Sequence, residues 1–161
     1  VEAKEEEPKV SEESIKAPIT GEILPLNKCP DELFASGKMG HGFIIEPEEG
    51  QVFAPCDGKI KDLFHTLHAL GIESDNGAEI LLHIGMNTVD LNAVGYTAHV
   101  KSGDHVKEGD LLIEFDIHYI QSKELAVTTP VIITNDKDYA MLVLKAFGHV
   151  KHGDTVLDLQ V

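Results

Sequence analysis

The chain has 161 residues, 42% of them apolar, with 13 Lys and Arg against 28 Asp and Glu for a formal net charge of -15. That size and apolar content suit one domain with a real core. The charge argues against nucleic acid as a partner, since phosphate backbones are held by basic surface, and against adhesion to anionic lipid.

A basic partner protein suits the charge better. No apolar run approaches the length needed to cross a bilayer, so direct membrane insertion is not expected. Cys29 and Cys56 make no CxxC pair and follow no signal peptide. Two buried, reduced thiols in a cytosolic protein are expected. The chain begins with Val1, as an excised domain or a processed product would.

Residues 1–16 hold six acids and three bases with almost nothing to bury. They read as a flexible acidic tail or linker. The folded domain is expected over 17–161, and its own formal charge is -12, the whole chain's -15 less the tail's -3.

From Ala17 onward, short apolar runs alternate with Gly, Pro, Asp and Asn. Strands are expected at 19–26, 42–46, 51–54, 58–63, 69–73, 79–84, 96–99, 111–116, 131–134, 140–146 and 155–159. The class this predicts is all-β, an antiparallel β-sandwich with barrel-like character. A few short helical turns are expected, at 30–34 with Pro30 in first position, at 88–91 and at 116–125. Repetition is visible: Ala17-Pro-Ile-Thr-Gly21 echoes Ala54-Pro-Cys-Asp-Gly58, and Val-Lys-x-Gly-Asp begins at Val100, Val106 and Val150. Each Gly-Asp predicts a turn with positive φ at Gly. A doubled β-motif follows, which speaks to fold more than to chemistry.

Nine histidines are present, and seven lie in expected loops or strand ends. His68 and His83 differ. They flank Asp75-Asn76-Gly77, a strong hairpin signal. A loop of two or four residues makes paired positions sum to an odd number. His68 and His83 would then share a face, directly opposite or as diagonal neighbours roughly 7–8 Å apart at Cα. A bulge would break that parity. A buried imidazole pair is costly unless it binds something. Metal ligation, acid-base work and covalent catalysis all fit a neutral pair. Thr66, two residues before His68, could bond a ring nitrogen and fix its tautomer.

The run Glu79-Ile-Leu-Leu-His83-Ile-Gly85-Met-Asn-Thr-Val89 resembles the glucose-type IIA domains of the bacterial phosphoenolpyruvate:sugar phosphotransferase system. So do Phe64-His-Thr66-Leu-His68-Ala, Ala17-Pro-Ile-Thr-Gly21, Pro30-Asp31-Glu-Leu-Phe34-Ala, Ala54-Pro-Cys-Asp-Gly58, Glu114-Phe-Asp116 and Thr129-Pro-Val131. Thr97-Ala-His99-Val-Lys-Ser-Gly-Asp104 looks closest to the β-glucoside or sucrose branch, where IIA is often fused behind membrane IIB and IIC domains, and the acidic tail resembles the linker of such a fusion.

The resemblance implies a cytoplasmic phosphotransferase component, tethered to the inner membrane face if fused. It works through a phosphohistidine. His83 matches the residue that takes the phosphoryl group on Nε2 from phospho-HPr. His68 matches the second histidine, which contacts that group, and Thr66 the hydroxyl bonded to it. A IIB cysteine is the acceptor. Regulatory targets are further expected partners. Leu33, Phe34, Met39, Phe64, Leu81 and Val89 match an apolar rim that meets partners. Asn87 stands where Asp is usual, which removes an ion pair with the donor and a negative charge near the phosphohistidine. His41 stands where Asp or Lys is common, and solvent exposure is expected for it. No cofactor and no metal is required, although His68 and His83 could bind zinc at an interface with a partner's ligand.

Three rivals share some of these features. A zinc hydrolase of the LytM type needs a His-x-His pair and an Asp ligand, and Leu81 and Gly85 stand two residues from His83. A biotinyl or lipoyl carrier displays a lysine at a hairpin tip, whereas the tip here is Asp75-Asn76-Gly77. A purely regulatory phospho-sensor would use the same site residues.

Overall fold

The computed structural model describes residues 10–161, so residues 1–9 of the expected tail lie outside the described residues. The strands are β1 Glu13–Lys16, β2 Gly21–Pro25, β3 His41–Pro47, β4 Gln51–Phe53, β5 Gly58–Leu63, β6 Ala69–Ser74, β7 Glu79–His83, β8 Tyr96–Ala98, β9 His105–Val106, β10 Leu111–Phe115, β11 Thr129–Ile133, β12 Met141–Leu144, β13 Gly148–Val150 and β14 Thr155–Gln160. Two short helices, α1 Glu32–Ala35 and α2 Ile117–Ser122, and three 3-10 turns complete the described secondary structure.

Every strand pair is antiparallel. The large sheet runs β13-β2-β3-β11-β7-β6-β5-β9, and two three-stranded sheets run β1-β14-β12 and β4-β10-β8. Ile15, Val52, Ile113, Leu82, Val131 and Leu157, from all three sheets, close on one apolar core. This is the expected all-β sandwich.

The tail boundary at residue 16 is corrected. Glu13–Lys16 pair with β14 as an edge strand, and Ile15 is fully buried. One buried Ile among charged neighbours is invisible to composition. Ser14 Oγ also donates to Asp158 Oδ1 at 2.7 Å. Strands β9 and β13 were not expected either; two and three residues long, they lie against the Gly-Asp turns.

The repeated Val-Lys-x-Gly-Asp segments fold alike. At Lys101, Lys107 and Lys151 the backbone N–H donates to the carboxylate of Asp104, Asp110 and Asp154, at 2.9–3.0 Å. Gly103, Gly109 and Gly153 have φ of 96°, 91° and 93°, left-handed geometry that glycine adopts without Cβ strain. Each turn then exchanges two backbone hydrogen bonds with one partner residue, Ile60, Ala54 or Ala17. Sequence repetition is thus structural repetition, including the Ala-Pro echo at 17 and 54.

The large sheet is covered on its second face as well. Phe43-Ile44-Ile45 and Val131-Ile132-Ile133 are buried without alternation. Ile44 and Ile132 face a small second cluster with Leu26, Cys29, Phe34 and Met86. That cluster seats α1 beside β7. Asp31 caps α1 by accepting the Leu33 N–H at 2.9 Å. Both cysteines are buried and free, Cys29 with its Sγ 3.8 Å from Met86 Sδ.

Candidate phosphoryl-transfer site

Strands β6 and β7 bring the two histidines together, but not by the expected register. The loop holds three residues, Asp75-Asn76-Gly77, closed by Ser74 N–H to Ala78 O at 2.8 Å. Gly77 has φ of 97°, the left-handed residue that a three-residue loop requires. Ala69 therefore opposes His83, and Leu70 opposes Leu82. Paired positions sum to an even number, and strict alternation would send His68 to the other face.

The chain leaves the strand before that rule applies. β6 begins at Ala69, and Leu67 has φ of 61°. The bend through Thr66–His68 takes the second ring out of the pleat. The His68 carbonyl still accepts the Ile84 N–H at 2.6 Å, which ties the two segments. The imidazoles meet edge to face, centroids 4.9 Å apart at 83°.

Each ring has one nitrogen engaged. His83 Nδ1 lies 2.7 Å from the Gly85 carbonyl oxygen. A carbonyl only accepts, so Nδ1 carries the proton and Nε2 presents a lone pair. His68 Nδ1 lies 2.7 Å from Thr66 Oγ1. Either group can supply that proton, and in both cases His68 Nε2 is left for another partner. Phe34 packs on His83 with centroids 5.2 Å apart, and Phe64 on His68 at 5.6 Å.

Burial sets the charge state. His68 is 4% exposed, and desolvation first, with His83 and His65 adding to it, lowers its pKa from 6.5 to about 4. His83 is also shifted down by desolvation, while its bond to Gly85 and the Asp31 carboxylate pull the other way. Both rings are neutral near pH 7, as a nitrogen nucleophile must be.

Leu33, Phe64 and Val89 are close to half exposed and Met39 is 36% exposed. Asn87 is exposed and Leu81 partly buried. Phe34 leaves the expected rim. It is 4% exposed and forms the wall under His83, because α1 turns it into the second cluster. His41 is exposed as expected, its Nδ1 2.5 Å from Asp136 Oδ2. Sequence reasoning missed the Gly85 carbonyl and the influence of Asp31. A backbone acceptor leaves no side-chain signature, and only the glycine two residues past His83 hinted at it. Among the described residues, no three His, Cys, Asp or Glu side chains are grouped to hold a metal ion, so a zinc ion on His68 and His83 would need ligands from a partner.

The sequence model of the family described as phosphoenolpyruvate-dependent sugar phosphotransferase system, EIIA 1, matches residues 13–139. A glucose-specific EIIA component of Oceanobacillus iheyensis is 52% identical over 132 residues, which is 82% of this chain and 79% of that protein. A β-glucoside-specific EIIBCA component of Halalkalibacterium halodurans is 48% identical over 147 residues. That match takes in 91% of this chain, which spans only 23% of the relative's length. The solved glucose permease IIA from Mycoplasma capricolum superposes with a TM-score of 0.84 at 35% identity, covering 92% of this chain and 96% of that one.

Proposed function

Because the chain belongs to the EIIA 1 family of the phosphoenolpyruvate-dependent sugar phosphotransferase system, we propose that it is a sugar-specific phosphocarrier whose acceptor atom is His83 Nε2. The observation that carries this reading is the Gly85 carbonyl on His83 Nδ1, which leaves Nε2 as the nucleophilic lone pair.

The donor is a phosphohistidine of HPr. His83 Nε2 attacks phosphorus as the donor's N–P bond breaks, and the donor nitrogen keeps the electron pair. No proton has to move. The ring gains positive character, and the Gly85 carbonyl stabilises it through the Nδ1–H. His68, with Thr66 donating to its Nδ1, presents Nε2–H to a phosphoryl oxygen. Neutral walls around the pair avoid repelling the dianion. The acceptor is a cysteine of a IIB domain, in the same native chain or a separate one, and the exposed Leu33, Met39, Phe64 and Val89 supply the apolar contact. An acidic chain meeting a basic donor gains encounter rate more than affinity. The same residues would serve a regulatory phospho-sensor, and transfer to IIB cysteine separates the two readings. The LytM-type hydrolase loses its basis, since its metal-binding pattern is missing from the described residues.

Incubation with phosphoenolpyruvate, enzyme I and HPr tests this. The wild-type protein should acquire an acid-labile phosphoryl group, and His83→Ala should acquire none. His68→Ala should accept the group and fail to pass it to IIB. Normal labelling of His83→Ala overturns the assignment.

A further inference from the structure

Three successive peptide units after His83 are each held by a hydrogen bond from outside the loop. In the unit joining His83 to Ile84, the Ile84 N–H donates to the His68 carbonyl at 2.6 Å. In the next unit, the Ile84 carbonyl accepts two hydroxyls, Thr88 Oγ1 at 2.7 Å and Tyr96 OH at 2.8 Å. In the third, the Met86 N–H donates to the Ala126 carbonyl at 2.9 Å. The Gly85 carbonyl that accepts His83 Nδ1–H belongs to this third unit. Gly85 has φ of 87°, and a Cβ there would stand 2.5 Å from the Thr88 methyl carbon, so loop and clamp fit closely.

We propose that Tyr96, with Thr88, is a positioning residue for phosphoryl transfer, acting through the Ile84 carbonyl to aim the Gly85 carbonyl at His83 Nδ1. Tyr96 stands on β8, in a different sheet from β7. Its ring is anchored in the core beside Phe115, centroids 6.4 Å apart. Its hydroxyl therefore couples the nucleophile's support to the body of the sandwich rather than to the loop alone. Thr88 is fully buried and Tyr96 8% exposed, so neither touches a partner or substrate directly. Burial also keeps the phenol protonated, pushed up to about 12, so it remains a donor over the working pH range. A carbonyl that accepts two hydroxyls in a dry setting is costly to leave unmet, which makes the peptide plane stiff. A stiff plane holds one tautomer of His83 and one ring orientation.

This rests on the reading of His83 Nε2 as the acceptor, and the experiment separates the two. Tyr96→Phe removes one oxygen and keeps the ring; Thr88→Val removes the other hydroxyl at similar volume. In the wild type, ¹⁵N spectra should show a protonated Nδ1 and an unprotonated Nε2 on His83. In each variant the two signals should move toward one another as the second tautomer appears. The maximal rate of phosphoryl uptake from phospho-HPr should fall about fivefold, with half-saturation by the donor unchanged. Unchanged ¹⁵N signals together with an unchanged rate in both folded variants overturn the clamp while leaving His83 as acceptor. If His83→Ala labels normally, the underlying reading fails and the clamp's role with it. A fall in rate with wild-type ¹⁵N signals also overturns it, since the loss would then be structural.

Discussion

His68 and His83 stand edge to face, ring centroids 4.9 Å apart, each with its Nδ1 already engaged, by Thr66 and by the Gly85 carbonyl. Two Nε2 atoms are therefore left to one shared space. The pair is chemically unequal. The bond to a carbonyl fixes the His83 proton on Nδ1 and leaves Nε2 with its lone pair, and the bond to a hydroxyl makes His68 adaptable, since a hydroxyl can donate or accept.

That asymmetry assigns Thr66 a distinct effect. Thr66→Val keeps the shape of the 5% exposed side chain and removes the hydroxyl. His68 Nδ1 then loses its hydrogen-bond partner. Uptake of the phosphoryl group on His83 should continue within about twofold, and onward transfer to IIB should slow about tenfold, the effect of misplacing one charged hydrogen bond. Quench-flow measurement of both steps checks this. Equal slowing of the two steps would mean that Thr66 supports the whole loop rather than His68.

Acid should unfold this protein partly through the same pair. His68 has its pKa lowered from 6.5 to about 4, and His83 is lowered too. Between those limits the unfolded chain binds protons that the folded chain refuses. The contribution is intact above pH 6.5 and is lost as pH falls toward 4. For the buried His68 alone it is on the order of 2–3 kcal/mol at the acid end. His68→Gln should lose less stability than wild type between pH 7 and pH 4.5 in urea denaturation. Parallel curves would show that His68 titrates normally.

Asn87 permits a charge test without rebuilding the loop. It is exposed and has φ of 58°, a left-handed conformation that Asn and Asp both tolerate. Asn87→Asp should strengthen capture of phospho-HPr a few-fold at low salt, steepen the decline of that rate with ionic strength, and shorten the lifetime of the phosphoprotein by like-charge repulsion. Rates and lifetimes matched to wild type across a salt series would remove Asn87 from the docking account.

Much of this molecule was legible from its residues, for reasons that can be named. The Gly-Asp turns were readable because glycine's left-handed φ and the aspartate's bond to a nearby N–H are local chemistry. The histidine pair was readable as a pair, yet the register argument failed on one residue of loop length. Asp75-Asn76-Gly77 supports a two-residue or a three-residue loop equally well, and only pairing across the sheet decides. Convergence survived because Leu67 bends the chain before His68, a non-local consequence of how β5 turns into β6. Phe34 was matched to the rim by the family resemblance, which does not report burial; one step along α1 from the exposed Leu33 the environment reverses. The N-terminal strand was hidden by charge, since Ile15 alone drives its burial.

That strand carries the last prediction. Glu13 on β1 accepts the Ser74 hydroxyl at 2.5 Å, and Ser74 Oγ in turn accepts the Ala78 N–H at 2.8 Å. An acidic residue thus latches the edge strand to the hairpin whose far end holds His83. Burial raises the Glu13 pKa above 4.5, with Asp75 adding to it and the bonds to Ser74, Asn76 and Ala78 opposing. For an acid so shifted, the folded state holds the proton better than the unfolded one. Its contribution is present below pH 4.5 and is lost as pH rises through the folded value. The sign is opposite to that of His68. Glu13→Gln keeps an acceptor for Ser74 and stays uncharged at every pH. The variant should match or exceed wild type in stability at pH 7, and wild type should close the gap as pH falls. Ser74→Ala should cost about 1–3 kcal/mol by removing the hydroxyl that accepts the buried Ala78 N–H and donates to Glu13. Because the Ser74 bond opposes the shift that burial imposes, Ser74→Ala should raise the Glu13 pKa further and enlarge the pH-dependent difference that Glu13→Gln makes. Urea denaturation of wild type, the two single variants and the double variant between pH 4 and pH 7 decides: a constant difference between wild type and Glu13→Gln would show that Glu13 titrates alike in the folded and unfolded chain.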